Sequence, residues 1–306
     1  MTTAPQKPRI LCVGAMLWDV IGHAGRTVAP GEDLAGRIVQ RPGGVALNVA
    51  LALARHGLAP AILAAVGRDA PGEALRAEAV RLGVRTDWLY RDSGKPTDLY
   101  MAIETPDGLL GAIADAGGLE AAGAALVEPL RDGRLGDARR PWTGTLIVDG
   151  NLSADLLRGL ARDPCLAGAE LRLVPASPSK AGHLRPLLGH PRAILHLNRL
   201  EAEALAGRGL ADAGTAAAAM LDLGVRRVLV TDGPRGVADA LAGAPPVLRL
   251  PPPVVARRVT GAGDAFLAGH VAAELAGADR ATALDAALNA ASAHVAEAFA
   301  DPVLEG

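Results

Sequence analysis

The chain has 306 residues, 50% of them hydrophobic, with 31 basic side chains against 33 acidic ones and a net charge of -2. This is ample for one large α/β core, and the near-neutral balance excludes a global field that would draw nucleic acid or an anionic membrane. Aromatic residues make up only 2%, too few for a stacking platform for single strands, and the two cysteines, Cys12 and Cys165, have no metal-ligand spacing.

No basic stretch followed by an apolar run opens the sequence, so no secretory leader is expected, and the Ala-rich stretches are broken too often by Gly and charge to span a membrane. A cytoplasmic protein with both thiols reduced and serving as apolar filler is the simplest expectation. "RILCVGAML" reads as a buried strand, and the segment from Gly22 to Arg41 that follows is polar and rich in Gly and Pro. Helical patterns run from Val45 to His56, closed by Gly57, and from Gly72 to Leu82, closed by Gly83. Thr97 to Asp115 predicts a hairpin about "TPDG", with Pro106 and Gly108 at the second and fourth turn positions. "LIVDGN" at 146–151 and "RRVLVTDG" at 226–233 repeat the strand pattern. Glu201 to Ala206, closed by Gly207, and a run from about Asp264 to Leu275 repeat the helical one.

This alternation predicts a parallel sheet covered by helices on both faces, with no linker long enough to divide residues 1–306 into independent domains. The two interruptions, at about 22–41 and 97–115, predict a small β-sheet that is either a surface decoration or a lid over a ligand.

"VTGAGDAF", beginning at Val259, carries the sharpest chemistry. If Gly261, Ala262 and Gly263 turn into a helix, their N–H groups point at its entrance, where the macrodipole favours an anion without any lysine. Asp264 then sits in the first turn, ionised at neutral pH, either as a plain cap or as a base beside an anion cradle. The second arrangement suits phosphoryl transfer to a hydroxyl. No G-x-x-x-x-G-K-[ST] occurs, and "GAGDAF" ends in Phe266 where a dinucleotide fingerprint needs glycine.

Other motifs are weaker alone. "RPGGVALN" places Gly43 and Gly44 before a helix carrying Asn48, where backbone can approach a ligand closely. "LNRLEAEAL" places Asn198 and Glu201 at i and i+3, a capping box that also suits a water-held Mg²⁺. "VTDGPRGV" supplies Thr231, Gly233 and Gly236 just after a strand, where open α/β sheets bind ligands.

Taken in order, these four motifs resemble the signature regions of the ribokinase (PfkB) family of sugar and nucleoside kinases. The resemblance implies a Rossmann-like three-layer αβα core with a mostly parallel sheet and a small β lid. It further implies ATP, Mg²⁺ and transfer of the γ-phosphoryl group to a hydroxyl of a nucleoside or sugar. On matching positions, Asp264 is the catalytic base and Gly261, Ala262 and Gly263 form the anion hole. Asp19, at the end of the first strand, with Gly43, Gly44 and Asn48, binds substrate hydroxyls, and Asn151 joins them. Thr97 and Tyr100 reach the substrate from the hairpin. Asn198, Thr231, Gly233, Gly236 and Asn289 serve the nucleotide, and Glu201 the metal through water. A homodimer through the lid is also implied.

Within the family, "GGVALN", "KPTDLY", "DGNLS" and "NRLEAEAL" look most like the pseudouridine kinases, with ribose, fructose or ketodeoxygluconate kinases as alternatives. Leu17 stands where a sugar-binding Asn is common, and Arg258 and Val259 replace an Asp-Thr pair, which leaves a family-type potassium site open. Trp18 reads as an apolar strand-end residue, with a position facing a substrate base as the alternative, and His196 and His294 read as structural. A non-catalytic nucleotide-binding regulator on the same fold is the competing class.

Overall fold

The computed structural model describes residues 7–29, 31–92, 94–257 and 259–297. Arg258 therefore lies outside the described residues.

The main sheet is built from β1 (Ile10–Val13), β4 (Ala61–Leu63), β9 (Gly144–Asp149), β10 (Ala169–Val174), β11 (Ala193–Asn198), β12 (Arg227–Thr231), β13 (Val237–Leu241) and β14 (Val247–Arg249). Its spatial order is β14-β13-β12-β11-β10-β9-β1-β4. All pairings from β12 to β4 are parallel, while β13 pairs antiparallel with both β12 and β14. A second sheet, ordered β3-β2-β7-β8, is made by β2 (Leu17–Ala24), β3 (Gly36–Gly43), β7 (Leu99–Thr105) and β8 (Gly108–Asp115). The short strands β5 (Ala65–Gly67) and β6 (Tyr90–Asp92) pair separately.

Buried parallel strands read as continuous apolar runs because both faces are covered. On one face Leu11, Val13, Leu146, Leu171 and Leu195 pack against α4 (Ala154–Leu160), α5 (Arg199–Ala206) and α6 (Ala213–Asp222). On the other, Cys12, Ile62 and Ile147 meet Leu47 and Leu53 of α1 (Val45–Arg55) and Leu267 and Val271 of α7 (Ala262–Leu275). Ile194 and Leu229 on that same face meet Phe266 of α7 and Leu284 and Leu288 of α8 (Arg280–Ala296). Both cysteines are buried and unpaired.

Between these last two apolar clusters lies a polar seam. Arg172 of β10, flanked in register by Ile147 and Ile194, is only 2% exposed. Its guanidinium binds Glu170 at 2.6 Å and also reaches Glu274 and the rings of His196 and His270. Arg227 joins Glu274 to Asp239. Burial keeps both rings neutral, His270 down to about 4 and His196 well below its ordinary value. Burial disfavours the Glu274 charge too, yet Arg172 and its neighbours hold that carboxyl down to about 2. The buried Arg172 charge persists because two carboxylates oppose it and Glu274 is shared with Arg227, while His196 Nδ1 is left without a hydrogen-bond partner.

One sequence expectation holds here and one changes. The segment from 22 to 41 joins the small sheet at both ends, through the end of β2, which begins at Leu17, and most of β3, and a Cβ on Gly36 would lie 2.7 Å from the His23 carbonyl oxygen across that pairing. Asp19 is not at the end of the first strand. That strand stops at Val13, where Gly14 turns with φ +150° and leaves no room for a Cβ beside Asp149, so Asp19 falls on β2 of the small sheet. The hairpin forms as expected, with pairs Ile103↔Gly111 and Glu104↔Leu109 leaving Leu110 as a bulge.

Candidate active site

Gly261, the cap of α7, takes φ +86°, a left-handed conformation that glycine adopts without cost. Helix α7 starts two residues earlier than expected, so Asp264 is its third residue, and its carboxyl opens into a cleft while packed within protein. Ala262 N–H donates to the Val259 carbonyl at 3.1 Å and so serves the turn rather than an anion, which removes it from the expected cradle.

Two cavities meet at this turn. The larger, about 670 Å³, is lined from the small sheet by Asp19, His23, Arg37 and Arg41 and from the core by Asn48, Thr260, Gly261 and Asp264. The smaller, about 330 Å³, lies over the strand ends and is lined by Asn198, Glu201, Thr231, His196, Gly261, Gly263 and Asp264. Asn48, Thr260, Gly261 and Asp264 face both. One carboxylate thus stands on the shared wall of two chambers, each of a size suited to a small molecule or part of one.

The electrostatics depart from the expectation of an ionised helix-start aspartate. Burial, with the nearby Asp149 charge, raises Asp264 to about 7, although a hydrogen bond with Asn48 favours the charged form. Desolvation outweighs the helix dipole here. Asp149 is itself fully buried, raised by burial, and held by Ala15 N–H at 2.9 Å and by Asn151. Burial also raises Asp19, with Arg41 acting in the opposite sense.

The remaining expected residues divide by what occupies their polar atoms. Gly43 leaves space for the Asp19 carboxyl, since a Cβ there would lie 2.2 Å from it. Gly44, with φ +92°, caps α1 against the Ala15 carbonyl. Tyr100 is paired in register with Asp19 and so shares its face of the small sheet, though neither cavity wall includes it. Thr97 is turned away: its N–H donates to Asp69 at 2.9 Å and its hydroxyl to the same carboxyl, which caps α2 (Ala70–Arg81). Asn151 spends its amide on Asp149 and accepts from Lys180, so it braces the core rather than facing a cavity. Gly233 and Gly236 lie just past Thr231 and outside both cavity walls, and Gly236 is required by the Arg249 carbonyl, 2.8 Å from its absent Cβ. Asn289 is exposed on α8, away from both walls.

Asn198 and Glu201 form the capping box, with Asn198 N–H donating to Glu201 at 2.8 Å and Glu201 N–H to Asn198 at 2.9 Å. Burial raises the Glu201 carboxyl, against the Asn198 N–H that favours its charge, and a cation in the cavity would relieve that desolvation. One buried carboxylate fits a magnesium ion that keeps most of its waters. No cluster of three or more acidic, His or Cys ligands exists among the described residues.

Sequence reasoning missed three contributors. His294, read as structural, lines the larger cavity and contacts the Thr260 carbonyl. Asp149 lies in "LIVDGN" and opens "DGNLS", yet only Asn151 of that stretch was singled out. Trp18, expected as plain apolar filler, donates its indole N–H to the Pro71 carbonyl at 2.9 Å and ties β2 to the first turn of α2.

Residues 7–302 match the pfkB family carbohydrate kinase. The pseudouridine kinase of Escherichia coli (strain K12) is 28% identical over 269 residues, covering 86% of this chain and 83% of that one. A carbohydrate kinase from Agrobacterium tumefaciens superposes with a TM-score of 0.79 at 29% identity, over 95% of this chain and 92% of the other. Arabidopsis thaliana ribokinase complexed with ribose and ATP has the same fold, with a TM-score of 0.77 at 23% identity over 95% and 93% of the two chains. No helix among the described residues is long and apolar enough to cross a membrane. With a family match over nearly its whole length and two cavities meeting at the Gly-rich turn, the chain belongs to the pfkB family of carbohydrate kinases, ATP-dependent kinases of sugars or nucleosides.

Proposed function

We propose that this kinase transfers the γ-phosphoryl group of ATP to the 5′-hydroxyl of pseudouridine, giving pseudouridine 5′-phosphate. The observation that carries the chemistry is the shared wall: Asp264 faces both the cavity beneath the small sheet and the one over the strand ends. The similarity to the E. coli pseudouridine kinase supports the choice of acceptor.

In this reading the acceptor occupies the larger cavity, with Asp19 and Asn48 binding its hydroxyls. Gly43 and Gly44 keep the Asp19 carboxyl and the start of α1 in place. Asp264 accepts the proton of the attacking hydroxyl while Asn48 fixes its orientation. The acceptor oxygen bonds to the γ-phosphorus as the bond to the bridging oxygen breaks, and ADP leaves with that electron pair. N–H groups of Gly261 and Gly263 at the positive end of α7 offset the charge developing on the phosphoryl oxygens. A base whose pKa lies near 7 is well matched to this step. Thr231 and Asn198 line the nucleotide side, and Glu201 holds magnesium through water. Bound magnesium supplies charge neutralisation on the phosphates. Val259 offers no side-chain oxygen where the family often has threonine, so potassium is not required; equal rates in KCl and NaCl are the expected result.

The chain acts as one kinase unit in the cytoplasm, with the small sheet as its lid. The lid's outer face exposes Ile38, Met101, Ile103 and Ile113, with Ile38 at 76% and Ile113 at 66%. We assign this face to a homodimer, because such a patch is the kind that a partner covers.

A coupled assay with pseudouridine, uridine, ribose, adenosine and fructose tests the reading. Pseudouridine should give the highest kcat/KM. A preference for ribose or fructose would refute the nucleoside assignment, and no transfer to any acceptor would favour a nucleotide-binding regulator.

A further inference from the structure

The last turn of α8 grips the catalytic turn at two points. Arg257 N–H donates to the Val295 carbonyl at 2.9 Å, and His294 Nε2 lies 2.9 Å from the Thr260 carbonyl. A carbonyl only accepts, so the His294 nitrogen facing it carries the proton. The imidazole is 6% exposed and sits so close beneath Gly261 that a Cβ there would lie 3.0 Å from Nε2. His294 is therefore wedged under Gly261, which lines both cavities, while its own N–H restrains the Thr260 carbonyl immediately upstream.

We propose that His294 is a positioning residue for phosphoryl transfer: its Nε2–H holds the Thr260 carbonyl so that the Gly261 and Gly263 amides stay aimed at the transferring group. The inference rests on the proposed phosphotransfer reading. Its action is mechanical and local. The Thr260–Gly261 peptide joins an exposed segment to α7, and two glycines within three residues give that junction little stiffness of its own. An external donor anchored in a helix supplies what the glycines lack, and a turn so fixed needs no reorganisation as charge develops. This explains why a histidine is buried in an otherwise apolar helix end, at the wall of the acceptor cavity, with its ring nitrogen turned to backbone.

The test uses the full-length protein with His294→Phe, which keeps a ring but removes the donor, and His294→Gln, whose amide nitrogen reaches the same carbonyl. His294→Phe should lower kcat by about 10- to 100-fold, the scale on which a small misplacement of reacting groups acts. KM for ATP and for the acceptor should stay within about twofold, since aligned amides act on the transition state. His294→Gln should recover most of the lost kcat. Hydrogen–deuterium exchange of the peptide spanning 257–264 should speed up in His294→Phe and return toward the parent rate in His294→Gln. That readout does not depend on turnover, so a parent enzyme inactive on every acceptor would defeat the phosphotransfer reading and still leave the latch measurable. Should the phenylalanine variant not fold, His294→Asn, whose shorter amide cannot reach Thr260, replaces it. Unchanged kcat in the donor-free variant, a rise in acceptor KM alone, or a glutamine variant as impaired as phenylalanine would each overturn the proposal.

Discussion

The two cavities that meet at Asp264 are built in different ways. The smaller one is formed by the ends of β11 and β12 and the start of α7, all parts of a single parallel sheet and its covering layer. The larger one takes half its wall from a separate sheet whose strands come from residues 17–24, 36–43, 99–105 and 108–115. The smaller cavity is thus continuous with the core, and it borders the buried Arg172 seam through His196. The larger one leans on a sheet with one exposed apolar face. A chamber built from one continuous sheet and a chamber completed by a second sheet can be altered separately, because the residues that wall them come from different elements.

The largest expected effect lies on the shared wall. Asp264→Asn should lower kcat by about 10²- to 10⁴-fold, the usual loss for a general base. Because the folded pKa of Asp264 lies above its unfolded value, the folded state binds the extra proton between pH 4 and about 7, and stability falls across that window as pH rises. Asp264→Asn should therefore raise Tm at pH 8.5 and leave it nearly unchanged at pH 4. In the parent enzyme, kcat/KM should climb with pH through about 7 and then level. A flat profile would remove the base from the shared wall and break the comparison at its centre.

Next comes the core half. Arg172→Ala leaves Glu274 and Glu170 without their shared partner, and urea unfolding should show a loss of about 3–5 kcal/mol, as for other broken buried pairs. Activity per folded molecule should survive in the cold if the seam is structural. Smaller effects belong to residues the sequence had assigned to substrate. Asn151→Ala should cost about 1–3 kcal/mol by leaving the buried Asp149 carboxyl short of a donor, and Thr97→Val about 0.5–1.5 kcal/mol by removing one hydrogen bond to the part-exposed Asp69, with acceptor KM little changed. A raised KM with unaltered Tm would return them to the acceptor site. Mildest of all, Ile113→Lys should shift sedimentation from dimer to monomer with stability of the protomer nearly constant.

Legibility in the sequence followed locality. The local geometry of Asp264, Gly261, Asn198 and Glu201 was readable because a helix start, reached through a Gly-rich turn in one case and directly from a strand in the other, keeps its groups within a few consecutive residues. Asp19 was assigned the right neighbours on the wrong element, since its place depends on register with Arg41 and Tyr100, far away in the chain. Thr97 and Asn151 have their polar atoms taken by Asp69 and Asp149: the first partner is 28 residues away, beyond any spacing rule, whereas the second is only two residues back and its hold on Asn151 depends on the burial of Asp149, which spacing alone does not show. Arg172 sat unnoticed in "ELRLV" because charge within an apolar run ordinarily marks a strand edge, whereas here opposing charges come from Glu274 of α7 and from Glu170 two residues back on the same strand. The raised Asp264 carboxyl was likewise invisible, because desolvation is set by tertiary packing.

Of the three tryptophans, Trp88 and Trp142 are sealed in the interior, while Trp18 is half-buried at the root of the small sheet with its indole tethered to Pro71. The chain therefore carries its own optical reporter. A movement of that sheet on acceptor binding would strain or break the tether and change the polarity around this indole, so stopped-flow emission tests whether the sheet closes and times it apart from chemistry without any attached dye.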